Sequence, residues 1–243
     1  MRKSCVPILI AILLFTVHST WAQSNAGRDR NVILTEGTAE VTGQNDSTRI
    51  SIAVITSGKD LERVGSENAE KTKRVIKAIK ALEIKGLDLK TSDYRVIPQR
   101  DYKARPPGII GYEVQNSVVI SLEGFEQDRL SGYVSKVIGS ALGNGANSIQ
   151  SLQSYIKDKK PLEKEALIQA VQEARDRADI LAGAAGVKIK RIISISTQPI
   201  IAPPVPNVLR AAAMKAEDAS MAPPIEIGVS QVRVHVNMAF EIQ

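Results

Sequence analysis

After residue 22 the chain has one histidine, His235, and no cysteine, since Cys5 stands near the start. A thiolate nucleophile, a zinc site built from Cys and His, and a Ser-His-Asp triad resting on any other histidine are thereby excluded or nearly so. His235 sits alone in an alternating apolar segment, so a structural role is expected of it. Glu163 and Glu165 are the carboxylates that hydrolysis would call on, but two residues apart on a helix they face different directions. Gly143-Asn144-Gly145-Ala146-Asn147-Ser148 approaches a phosphate-cradling loop. Such a loop follows a strand and opens a helix, whereas this one ends a helix and opens a strand, so it reads as a cap and turn.

The charged and aromatic residues point more to contact than to reaction. Arg175 and Arg177 could hold an anion, yet Asp176 and Asp179 beside them favour local pairing. Arg100, Lys103 and Arg105 form a local basic cluster on an expected hairpin tip, either a solvated loop or a contact for an anionic envelope component. Tyr94, Tyr102, Tyr112, Tyr133 and Tyr155 are spread over separate elements, which suits core or interface packing better than a stacking platform, and no nucleic-acid partner is expected. Asn45-Asp46-Ser47 matches a glycosylation acceptor, which would matter only in a eukaryotic secretory host.

Residues 1–22 have the layout of a secretory signal peptide: Arg2 and Lys3, an apolar run from Val6 to Val17, and the small-residue ending at Ala22. The run is short of the about 20 residues a spanning helix needs, a retained anchor being the alternative, and no later segment is long enough either. Cys5 is not placed as a lipoprotein cysteine. The expected mature chain, residues 23–243, is therefore exported, free of cysteine and dependent on a packed core. Its formal charge is +4, against +6 for the whole chain, because Arg2 and Lys3 leave with the signal. A mild excess of this kind suits a soluble basic protein, with attraction to an anionic surface as the alternative.

Periodicity supplies the elements that position these residues. Val32 to Thr42 and Thr48 to Thr56 read as strands, expected to pair as a hairpin across Gly43 to Asp46. A long helix follows from Lys59 to Ile84, then strands at Thr91 to Tyr102 and Ile109 to Leu122, a helix from Phe125 to Leu142 and a strand from Ser148 to Lys157. The order β-α-β-β-α-β over residues 49–157 is that of a split βαβ, ferredoxin-like core. The fold class is thus α+β, an antiparallel sheet with helices on one face plus a further helix and strands. That further helix, in residues 161–198, is the best marked. Pro161 suits its first turn, Gly186 its left-handed end, and Ala166, Ala170, Ala174, Ala178, Leu181 and Ala185 form a stripe of mostly small side chains. Val187 to Ile195 then reads as a buried strand. Residues 199–228 are a Pro-rich excursion whose apolar centre, with Leu209 and Met214, is expected to contact a neighbouring subunit. Residues 229–243 alternate as a terminal strand that pairs with Ile189 to Thr197.

Leu34 to Gly37, Gly86 to Tyr102, the motif Gly111-Tyr112-Glu113-Val114-Gln115-Asn116, Gly145-Ala146-Asn147, and the helix from Glu165 to Ala178 followed by Leu181 to Val187 resemble the SIMPL-domain (DUF541) family over nearly all of the mature chain. The resemblance implies an α+β fold, export to the periplasm or outer surface, self-association, no established enzyme activity and no cofactor. It also implies links, for some members, to envelope or oxidative stress or to surface antigens. It brings no catalytic residues to transfer. The leading expectation is a non-catalytic, self-associating envelope protein; the alternatives are a ligand- or client-binding, holdase-like module and, less favoured, a hydrolase.

Overall fold

The computed structural model describes residues 31–199 and 224–243, so residues 1–22, read above as a signal, and most of the Pro-rich excursion, with Leu209 and Met214, lie outside the described residues. The elements run β1 (Val32–Gln44), β2 (Ser47–Gly58), α1 (Leu61–Lys80), β3 (Leu87–Asp101), β4 (Gly108–Leu122), α2 (Gln127–Gly143), β5 (Ser148–Tyr155), α3 (Lys160–Ala185), β6 (Ile189–Pro199) and β7 (Val229–Ile242). They form two antiparallel sheets, β3-β4-β2-β5 and β1-β7-β6.

The four-stranded sheet has the strand order a split βαβ unit requires, because β4 lies between β3 and β2. Ile50, Ile52, Val54, Val118, Ile120 and Leu122 alternate onto the helix-covered face. They meet Val75 and Ile79 of α1 and Leu130, Val134, Val137 and Ile138 of α2. Asp60 starts α1, its carboxylate accepting from the Arg63 N–H at 2.8 Å. Inside the layer, buried Asn68 donates to the carbonyls of Val54 and Val114, each at 2.9 Å, which ties α1 to both central strands.

In the three-stranded sheet β7 is central, pairing with β1 from Val32↔Glu241 to Gln44↔Val229 and with β6 on its other side. α3 covers β1 and β7. Its buried stripe is Ala166, Ala170, Ala174, Ala178 and Ala182, one residue every four, while Leu181 and Ala185 of the expected stripe are exposed. Strict four-residue spacing exceeds the helical period and so wraps round the helix, following the contact across a twisted sheet. Gly186 ends α3 in the left-handed region, φ 69°.

Two further expectations are corrected. β1 and β2 are not a hairpin: the chain leaves one sheet at Gln44 and enters the other at Ser47. Asn45 and Asp46 bond to segments distant in sequence instead of closing a turn. The Asn45 amide donates to the Ile227 carbonyl at 3.1 Å and accepts from the Ser230 hydroxyl at 2.6 Å, while Asp46 accepts from the N–H groups of Phe125 at 2.9 Å and Lys157 at 2.8 Å. Asn45 is thus buried and engaged at both ends of its amide, which also removes it as a glycosylation acceptor. Second, β6 is not a buried strand but an edge strand that α3 barely reaches, leaving Ile192 41% and Ile195 51% exposed.

Candidate functional site

The residues singled out for chemistry are scattered by the fold. Glu163 and Glu165 are exposed on the first turns of α3, and Glu165 accepts from the Gln169 side chain at 3.1 Å. The glycine loop after α2 folds back on its own helix, with the Ala146 N–H on the Ala141 carbonyl at 3.0 Å and the Asn144 amide on the Ser140 carbonyl at 2.8 Å. Asn147 next to it pairs both its amide atoms with the backbone of Ile55, at 2.8 Å each, as an extra strand residue would. Among the described residues no group of three or more His, Cys, Asp and Glu is placed to hold a metal ion, and no helix is long and apolar enough to cross a membrane.

His235 is not alone, contrary to the sequence expectation. Its Nδ1 lies 3.1 Å from the Thr38 hydroxyl and its Nε2 3.2 Å from the Asn237 amide oxygen, with a Glu36 carboxylate oxygen at 3.7 Å. Thr38 and Glu36 come from β1, which pairs Thr38 with His235 and Glu36 with Asn237, while Asn237 lies two residues further along β7 itself. A cross-strand neighbour of this kind depends on register and could not be read from local sequence.

Arg177 pairs not with the adjacent aspartates but with Glu173 at 2.6 Å, one turn back, while Asp176 accepts from Gln172 at 2.8 Å. Glu173 also accepts the Thr38 N–H at 2.6 Å, and Arg177 donates to the Glu36 carbonyl at 2.9 Å. Those backbone groups belong to the outer edge of β1. Two α3 side chains thus replace the hydrogen bonds a further strand would make and close the middle of that edge. Beside them the edge turns apolar: Leu34, Ile180 and Leu181, with Arg177 and Glu36, line a shallow depression of about 330 Å³.

A second polar group missed from the sequence lies where β5 ends. Tyr155 donates to Glu123 at 2.8 Å, Lys157 pairs with the same carboxylate at 3.2 Å, and the Arg49 guanidinium sits 5.5 Å from the Tyr155 ring centre. The Tyr155 hydrogen bond, then Lys157, hold the Glu123 carboxyl below its ordinary range; burial, then Glu123, raise the Tyr155 phenol.

Arg100, Lys103 and Arg105 lie together on the tip of the β3–β4 hairpin, all exposed. β4 pairs with β2 only as far as Tyr112↔Gly58, so residues 99–111 project beyond the rest of the sheet. The sequence located this cluster and its setting; the projection follows from β2 ending before β3 and β4 do.

Residues 33–240 match the family SIMPL, described as a protein of unknown function (DUF541). Among curated proteins, the 26 kDa periplasmic immunogenic protein of Brucella melitensis biotype 1 is 27% identical over 221 residues, 87% of this chain and 84% of that protein. The protein of the same name from Brucella abortus strain S19 matches equally. Among solved structures, AtUAH in complex with (S)-hydroxyglycine overlaps 56% of this chain and 33% of its own, at 14% identity and a TM-score of 0.25. The Bacillus subtilis YXEP protein, titled a dinuclear metal binding peptidase of the M20 family, overlaps 50% and 29% at 15% identity and a TM-score of 0.19. The chain spans about a third of each of these two, and overlaps this loose carry no argument about fold or chemistry.

Proposed function

Because this chain belongs to the SIMPL family, we propose that it is an exported, non-catalytic protein of the periplasmic envelope that self-associates through the apolar margin of β1 and α3. The observation carrying this reading is the depression beside the closed part of the β1 edge, where Leu34 is 71% and Ile180 70% exposed. Single exposed apolar residues need no explanation, but large ones meeting at a sheet edge, with Glu36 and Arg177 at the rim, have the make-up of a subunit contact. The periplasmic naming of the Brucella relatives and the signal layout of residues 1–22 support the compartment.

The test is the mass of the chain from Gln23 in light scattering, alone and as Leu34→Glu with Ile180→Glu. An assembly that falls to a lower mass in the double variant, with unchanged circular dichroism, is expected. A parent protein that is monomeric at micromolar concentration overturns self-association. Suppression of a client's aggregation by that monomer would favour a binding module instead, since the same exposed apolar margin would serve it.

A further inference from the structure

The projecting tip of the β3–β4 hairpin has two properties that together specify a partner. Its apolar residues are large and exposed: Tyr102 is 80% and Ile110 59% exposed, Ile109 is also open to solvent, and so are Val96 and Ile97 at its base. Val96 and Ile97 are adjacent on β3 at the base of the tip and point to opposite faces, while Ile110 is the unpaired residue of the irregularity opposite Gln99 and Arg100, next to Ile109. The ribbon is therefore apolar on both faces at the base of its tip, with Ile109, Ile110 and Tyr102 exposed beyond, whereas a strand meant for a protein groove concentrates its apolar residues on one face.

The second property is charge. Residues 94–112 hold Arg95, Arg100, Lys103 and Arg105 against the single acid Asp101. Arg95 is paired with Asp93, and Asp101 accepts the Lys103 backbone N–H at 2.8 Å, so its carboxylate is engaged locally. Among the described residues Arg100, Lys103 and Arg105 make no ion pair and stand beside the apolar tip as uncompensated cations.

We infer that this hairpin tip is a peripheral membrane anchor that takes the headgroup region of an anionic lipid surface. A medium that surrounds a short finger suits an element apolar on both faces, and Tyr102 can bury its ring while keeping its hydroxyl at the wet boundary. The overhang of about three residues spans about 10 Å, comparable to the depth at which interfacial segments sit. Arg100, Lys103 and Arg105 then meet the phosphates while their stems lie along the apolar boundary. The inference uses only the exported setting of the preceding reading and does not depend on self-association.

Residues 23–243 contain no tryptophan, because Trp21 lies in the signal segment, so Tyr102→Trp makes a unique reporter. With vesicles of phosphatidylcholine plus one third phosphatidylglycerol, its emission shifts to the blue. Vesicles of phosphatidylcholine alone produce no shift, and high salt weakens the response. Cosedimentation of the unlabelled chain gives the affinity. Replacing Arg100, Lys103 and Arg105 together by Glu lowers binding to the anionic vesicles by about a hundredfold or more, and Ile110→Ser with Tyr102→Ser lowers it at unchanged charge. Lys164→Glu, a single charge reversal on α3 away from the tip, leaves it within about twofold. Reporter emission that ignores anionic vesicles overturns the inference, as does a triple Glu variant that sediments like the parent. So does a change of oligomeric mass in the tip variants without a change in vesicle binding, which would assign the tip to a second copy of the chain. Light scattering read separately distinguishes this failure from failure of the self-association reading.

Discussion

In the four-stranded layer the space between sheet and helices is filled by branched side chains such as Ile50, Ile120, Leu122 and Ile138, all at most 1% exposed. In the three-stranded layer the buried residues of the helix are all alanines, with Leu162 and Val171 only partly buried beside them, and the sheet answers with Gly37, Ala39, Val41, Val236, Met238 and Phe240. The first layer gains by apolar area removed from water, the second by close approach of backbone to backbone. The approach has a direct measure: a Cβ built on Gly37 would lie 1.9 Å from the Ala170 carbonyl oxygen and 2.7 Å from the Ala174 nitrogen. Only at that separation can the Thr35 hydroxyl donate to the Ala174 carbonyl at 2.7 Å, and only there do Glu173 and Arg177 reach the β1 edge. One layer should therefore be sensitive to losing volume and the other to gaining it.

Truncation in the branched layer should give the largest effect. Leu122→Ala leaves a void where the side chain is fully buried and is expected to cost about 2–5 kcal/mol in urea unfolding. Gly37→Ala, one added methyl, should come close to that, near the upper end of the about 1–3 kcal/mol typical of overpacking, since the atoms it meets are backbone and cannot rotate away. A Gly37→Ala midpoint equal to that of the parent would mean that α3 does not lie on β1 as described.

Enlarging the alanine stripe sharpens the contrast. Ala174→Leu should cost about 1–3 kcal/mol, while Ala184→Leu, exposed on the same helix, should stay within about 0.5 kcal/mol. Equal urea midpoints for the two would place the stripe in solvent.

The smallest difference is electrostatic and pH-dependent. Lys190, then Arg191, hold the Glu241 carboxyl of the three-stranded layer below its ordinary range, as Tyr155 and Lys157 do Glu123 in the other. A carboxyl with a lower pKa in the folded than in the unfolded chain contributes stability above the unfolded value, about 4.3, and loses it as pH falls through the folded one. Glu241→Gln and Glu123→Gln should each show a small deficit in melting temperature at neutral pH that closes as the medium is acidified below about pH 4. A deficit that grows on acidification would mean the wrong sign for both groups.

Local signals were legible because their causes are local. Pro161 and Gly186 bracket α3 to within a residue, since a missing N–H and a positive φ are properties of single residues. The β-α-β-β-α-β order followed from the change of apolar period, and the basic hairpin tip from its prolines and charges. The pairing of β1 was not legible. Val32 to Thr42 alternates as well for β2 as for β7, and the residues that decide against the hairpin, Asn45 and Asp46, bond to Ile227, Ser230, Phe125 and Lys157. The cross-strand neighbours of His235 were missed for the same reason: Thr38 and Glu36 are far away in sequence and adjacent only through β1–β7 register.

The sequence by itself determined which segments become helix or strand, that the chemistry-bearing residues are few and dispersed, and that the chain resembles one family along nearly all of its length after residue 22. Patterning and backbone preference act over a few residues, so they survive without a partner. Only the tertiary structure decided that there are two sheets, that α3 presses close enough to close the β1 edge, that β6 is left open and that the β3–β4 tip stands clear of β2. Those outcomes are set by which surfaces win a competition for burial and hydrogen bonding among segments up to two hundred residues apart, and no local spacing encodes that choice.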